Sequence, residues 1–213
     1  MLTLKKFEFN PFGECTYLLM DEVSRDTIVV DPGMLYAEEC ELFDKFVADN
    51  KQNITLVFNT HLHLDHIFGD NHVKNKYGVK IAGHPDDAFK GRTLARQGER
   101  FGLRLPENPV EIDIPLSDGD TLTLGTETLH VIHVPGHSPG GLALYYPEGK
   151  FVLVGDSLFC GSIGRTDLNG GSYPQLIKSI EDRLMTLPAD TKVYPGHGPS
   201  TTIDQERLSN PYI

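Results

Sequence analysis

At 213 residues, 39% hydrophobic and 23% charged, the chain has the make-up of one globular α/β domain over 1–213, large enough to bury roughly 70% of its unfolded surface without covalent staples. A formal net charge of -11 argues against nucleic acid or an anionic membrane as the main partner, and no run approaches the roughly 18 apolar residues of a membrane span. The three scattered cysteines, Cys15, Cys40 and Cys160, make no disulfide framework, and no apolar stretch follows Lys5 and Lys6, so a reducing, cytoplasmic setting is expected.

In chain order, LTLKKFEF, CTYLLMD and DTIVVDP read as strands, with Asp31-Pro32-Gly33 closing the third. Leu42, Phe43, Phe46 and Val47 then follow helical spacing within 37–50, where Glu38, Glu39 and Glu41 form a solvated face. ITLVFNT is a short apolar strand suited to a buried sheet. Segment 64–77 is expected to be helical, KIAGH a strand and 85–101 a polar, exposed helix. Strands return with DTLTLG, ETLHVIHVPG, GLALYYP and KFVLVGD, and a helix over 172–186 leads into TKVYPG. The layout is thus a strand–helix mixture written twice, with the first half ending near residue 100.

Chemistry concentrates at Thr60-His61-Leu62-His63-Leu64-Asp65-His66, directly after ITLVFN. In an extended segment, residues two apart project to one side, so His61 and His63 face together. Asp65 and His66 fall where the chain turns into a helix and can address a second point nearby. Polar turns collect Gly, Asn and Ser; three histidines and an aspartate suit a metal better. Single donors recur after three later strands: His137 in Pro-Gly-His-Ser-Pro-Gly, Asp156 after KFVLVG, and His197 in Pro-Gly-His-Gly-Pro. Each alone fits a structural residue. Together they place a metal-binding side chain at the end of four strands, flanked by glycine at the last three.

This pattern, His-x-His-x-Asp-His followed by a distant His, Asp and His, resembles the metallo-β-lactamase superfamily and, within it, the short bacterial form of the glyoxalase II branch. Gly155-Asp156-Ser157-Leu158-Phe159 and Gly164-Arg165-Thr166-Asp167 narrow the likeness, which runs over essentially the whole chain. It implies an αββα sandwich with metals at one edge of two central sheets. It also implies that His61, His63 and His137 hold one divalent ion, that Asp65, His66 and His197 hold another, that Asp156 bridges them, and that Asp65 and Asp156 are the catalytic carboxylates. Two divalent cations met by two carboxylates and five neutral imidazoles keep enough Lewis acidity to bring water towards pKa ~7 and to polarise a carbonyl oxygen. Zinc fits this nitrogen and oxygen set; iron and manganese fit nearly as well.

The resemblance implies a small-molecule thioester such as S-lactoylglutathione as substrate, with Arg165 placed to contact a substrate carboxylate. An intraloop ion pair with Asp167 is the alternative role for that arginine. Asp167 and Pro199 stand where the longer enzymes of the branch carry tyrosines, and the chain ends 16 residues after His197, without their C-terminal helical glutathione-binding domain. A different chemistry is also open: a mononuclear iron persulfide dioxygenase would use only His61, His137 and Asp156. Pro195-Gly196-His197-Gly198 is the hydrolase form of the last motif. His72, His84, His130 and His133 read as packing or surface residues, with His84 able to reach the site rim, and Cys160 reads as a structural thiol. Nothing in the sequence speaks to oligomeric state.

Overall fold

The computed structural model describes residues 1–213. β1 (Leu2–Phe9), β2 (Glu14–Asp21) and β3 (Asp26–Val30) form an antiparallel meander. Helix α1 (Ala37–Asp49) crosses to β4 (Asn53–Phe58), parallel to β3. Helices α2 (Leu64–Ile67) and α3 (Asp70–Tyr77) lead to β5 (Lys80–Gly83), and α4 (Ala88–Arg92) and α5 (Leu94–Arg100) lead to β6 (Ile114–Pro115), which completes a six-stranded sheet in sequence order. The second sheet starts with β7 (Thr121–Leu124), β8 (Glu127–His133), β9 (Leu142–Tyr146) and β10 (Phe151–Gly155), all antiparallel. A small hairpin, β11 (Leu158–Phe159) with β12 (Ser162–Ile163), and helix α6 (Tyr173–Ser179) follow, the helix continuing in a wider turn to Leu184. β13 (Lys192–Pro195) pairs parallel with β10, β14 (Thr201–Thr202) lies on its far side, and α7 (Ile203–Ser209) ends the chain's regular structure.

The inner strands β2, β3, β9 and β10 bury both faces and are near-continuous apolar runs. Leu19, Ile28, Val30 and Phe58 turn inward against Leu129, Val131, Leu144 and Leu153 of the opposing sheet. Their neighbours Leu18, Val29 and Val57 turn outward against Phe43 and Val47 of α1 and Val73 of α3. On the far side, Val152, Val154 and Val193 meet Leu176, Ile180, Leu184 and Ile203. Helix, sheet, sheet, helix: the αββα sandwich is present, with each fully buried aliphatic or phenyl side chain contributing roughly 1.5–3 kcal/mol.

Three sequence expectations are corrected. The 64–77 helix breaks at Gly69, whose amide leaves the helical ladder for Pro32 O at 2.7 Å, in a contact too close for a Cβ, which would lie 2.8 Å from that oxygen. The 85–101 helix splits at Thr93, and it is not simply exposed: Asp87 and Lys90 are buried and bonded at 3.2 Å. The first sheet ends at Ile114–Pro115 rather than near residue 100. Glu39 also does more than meet water, accepting the amide protons of Leu35, Tyr36 and Asn10 where α1 begins. No helix is long and apolar enough to cross a membrane.

Candidate metal centre

After β4 the backbone stays extended, because the two Asp31 carboxylate oxygens accept the Thr60 amide at 2.7 Å and its hydroxyl at 2.5 Å, while Asp87 Oδ2 accepts the Leu62 amide at 3.0 Å. Leu62 is fully buried in the outer core, so His61 and His63 turn together the other way, as the two-residue spacing predicts. Asp65 and His66 lie in the single turn of α2. The second half of the chain answers across the seam, where the Leu142 amide donates to Thr60 O at 2.7 Å and fixes the loop carrying His137. At the ends of β10 and β13, Gly155 has φ +52° and Gly196 donates to Gly155 O at 2.8 Å. A Cβ on Gly196 would fall on Asp156 Oδ1 and 2.6 Å from His66 Cε1, so only glycine lets the His197 turn approach.

All seven sequence-predicted donors meet at this edge. His137 Nε2 lies 2.8 Å from His63 Nδ1 and 3.2 Å from His61 Nε2, giving a cluster of three nitrogens. Asp65 Oδ2 lies 3.3 Å from His197 Nε2 and 3.9 Å from His66 Nε2, giving a second cluster. Asp156 stands between them, 3.4 Å from His66 Nε2 through Oδ1 and, through Oδ2, 3.5 Å from His197 Nε2 and 3.7 Å from His137 Nε2.

The outer ring nitrogens fix what the inner ones offer. His137 Nδ1 donates to Arg165 O at 2.7 Å, His66 Nδ1 to Asp31 Oδ2 at 3.0 Å and His197 Nδ1 to Phe12 O at 3.1 Å. Each Nε2 therefore presents a lone pair inward, the arrangement that orients imidazole towards a cation. Burial pushes His61, His63 and His137 below the usual imidazole range, keeping them neutral. Burial acts the same way on His66 and His197, yet the Asp65 and Asp156 carboxylates outweigh it and raise both. Asp156 Oδ1 and His66 Nε2 are buried without hydrogen-bond partners. Lone pairs and carboxylates crowded this closely suit divalent cations, and the donor set fits two of them.

Asp31 was missed by sequence reasoning, which took Asp31-Pro32-Gly33 for a turn alone. It lies near His61 and His66 but serves as a positioning residue, since its oxygens are taken up by Thr60 and His66. Asp87 was missed as well: buried, it ties the Leu62 amide to the Gly140 amide at 2.9 Å and so links the two ligand-bearing loops. Only their burial marks them, and no local sequence signal carries that. Arg165 borders the cleft and forms a two-point ion pair with Asp167, both contacts at 2.7 Å. His84 stacks on His133 at 4.3 Å, His72 bonds to Asp44 at 3.1 Å, and Cys160 is exposed.

A family model described as the metallo-beta-lactamase superfamily matches residues 11–197. The chain belongs to that superfamily. Among curated relatives, hydroxyacylglutathione hydrolase GloC of Haemophilus influenzae is 35% identical over 206 residues, covering 93% of this chain and 92% of its own. Solved superfamily structures superpose closely. The B3 metallo-beta-lactamase BLEG-1 gives a TM-score of 0.87 at 32% identity, covering 99% of both chains. TTHA1623 in a di-iron-bound form gives 0.86 at 33%, covering 98% of this chain and 100% of the other. ETHE1 from Myxococcus xanthus gives 0.80 at 27%, covering 98% and 83% respectively.

Proposed function

We propose that this chain, acting as a single domain in the cytoplasm, is a dinuclear metal-dependent hydrolase of small thioesters, with S-lactoylglutathione as the representative substrate. The observation that carries the reading is the completeness of both donor clusters, joined through Asp156. His61, His63 and His137 would hold one ion, Asp65, His66 and His197 the other, and Asp156 would serve both. The similarity to GloC, itself named a hydroxyacylglutathione hydrolase, supports the thioester. Zinc suits the donors, and the di-iron form of TTHA1623 supports iron as an alternative.

Bound divalent ions would lower the pKa of water towards ~7 and polarise the thioester carbonyl. The protein's own part is orientation. Arg165 O, Asp31 and Phe12 O lock three imidazoles, and Asp65 and Asp156, each 13% exposed, face the cleft floor where an attacking water must lie. A carboxylate there orients that water and accepts its proton as oxygen adds to the carbonyl carbon. Cleavage of the carbon–sulfur bond then yields a carboxylic acid and a thiol. Phe12, Phe89 and Phe101 line the same cleft and give it an apolar wall.

A mononuclear iron persulfide dioxygenase is the second reading, favoured by the fold match to ETHE1. It leaves His63, Asp65, His66 and His197 without a task. Metal analysis, with S-lactoylglutathione loss and oxygen uptake on glutathione persulfide assayed side by side, separates the two. Close to two ions per chain with thioester loss is expected. A single iron, unchanged on metal addition, with oxygen uptake would overturn the hydrolase.

A further inference from the structure

The cleft over the metal centre has a volume of about 550 Å³, and its charge is lopsided. Beyond Asp65 and Asp156 its lining holds no acidic side chain, but it holds Lys90, Arg96, Arg100 and Arg165, in a chain of net charge -11. Two of these cations are already satisfied. Arg165 has committed two donors of its fork to Asp167, and the Lys90 ammonium rests on Asp87. Arg96 and Arg100 are exposed, and neither forms an ion pair or a side-chain hydrogen bond, unlike Arg92 one turn earlier, which reaches Glu111. They stand four apart on α5, so they share one face, where two unpaired like charges repel. Phe89 and Phe101 line the same cleft and are 39% and 44% exposed.

A helix face that concentrates unpaired cations beside bare aromatic surface, and turns both towards a reaction centre, matches a ligand with an apolar stem and an anionic end. We infer that Arg96 and Arg100 form the carboxylate-recognition subsite of this enzyme, so that its substrates are thioesters whose thiol portion carries free carboxylates. This rests on the hydrolase reading and assigns the recognition that Arg165, held by Asp167, supplies only in part. Guanidinium forks suit carboxylates by pairing two N–H donors with two oxygens.

The test is equilibrium binding to the zinc-loaded full chain of S-hexylglutathione, a thioether that cannot be hydrolysed, against its uncharged-carboxyl diester. Wild type should prefer the diacid about tenfold or more. In R96Q/R100Q the preference should fall to near unity, with metal content and melting temperature held. R104Q removes one arginine charge outside the cleft and should keep the preference. Equal binding of diacid and diester by wild type, or a preference that survives R96Q/R100Q, overturns the subsite. S-Lactoylglutathione turnover on the same samples keeps the two claims apart. Charge-dependent binding without turnover would overturn the thioesterase and leave the subsite standing.

Discussion

Replacing Asp87 by Asn tests whether a residue that touches no predicted metal ligand controls the centre. The native carboxylate is fully buried and accepts from the Leu62 amide, the Gly140 amide and Lys90 Nζ at 3.0, 2.9 and 3.2 Å. Asparagine keeps one acceptor oxygen but turns an NH2 towards a donor, and it leaves the Lys90 ammonium, 4% exposed, without a counter-ion. Breaking a buried pair from one side costs about 3–5 kcal/mol. At about 2–4 °C per kcal/mol for a chain of this size, the melting temperature should fall by roughly 6–20 °C. Removing the stranded charge in D87N/K90M should recover part of that loss, giving a coupling of about 1 kcal/mol or more in a double-mutant cycle. Burial pushes the Asp87 pKa up, but Lys90 and the two amides outweigh it, so the folded value lies below the unfolded ~3.9. Its stabilisation is thus complete above about pH 4 and is lost as pH falls through the lower folded value, so the variant should show a flatter acid limb than wild type. Calorimetric melting against pH reads all of this. A D87N loss under about 1 kcal/mol, with an unchanged acid limb, would refute the argument.

Asp31→Asn should weaken uptake of an ion at His66 about 10–100-fold by chelator competition, because His66 loses the acceptor that orients it; unchanged affinity would show the carboxylate to be a bystander. Asp65→Ala and His197→Ala should each retain the fold by circular dichroism yet lose one ion and leave less than about a tenth of wild-type thioester hydrolysis, an outcome a mononuclear dioxygenase using His61, His137 and Asp156 would not show. Arg165→Met removes an exposed ion pair, in which Arg165 draws the Asp167 carboxyl down to about 2. Such pairs contribute at most about 1 kcal/mol, so the melting temperature should shift by under about 4 °C with both ions kept. Loss of metal in that variant would mean the side chain orients His137.

What the sequence made legible was whatever repeats locally. Leu62 between His61 and His63 reports an extended segment with opposite faces, and the outward and inward alternation of Leu18 and Leu19 sits inside apolar runs that read as buried strands. All seven donors could be found because each follows an apolar strand, four lie in one short motif and two more in a repeated Pro-Gly-His. The break at Gly69 was not legible, since it depends on Pro32 O arriving from a distant loop, and helical spacing across 64–77 is otherwise intact. Asp87 and Lys90 looked like surface charges on a polar helix; only the Val110 carbonyl packed on Gly91 and the loops above them bury the pair. Arg96 and Arg100 matter through what fails to sit beside them, and spacing along a chain cannot report a missing partner.

The loop after Asp156 divides its duties between backbone and side chain at adjacent positions. His137 is oriented by the carbonyl of residue 165, a group every amino acid supplies, whereas the side chain at 165 points to the cleft. One position before it, a Cβ on Gly164 would collide with the carbonyl oxygen of Asp156 and lie 3.0 Å from His137 Nδ1. The side chain at 165 can therefore change while the carbonyl that orients His137 stays in place, whereas any side chain at 164 is barred. A variable surface position and a fixed backbone position, set one residue apart, are free to change at different rates.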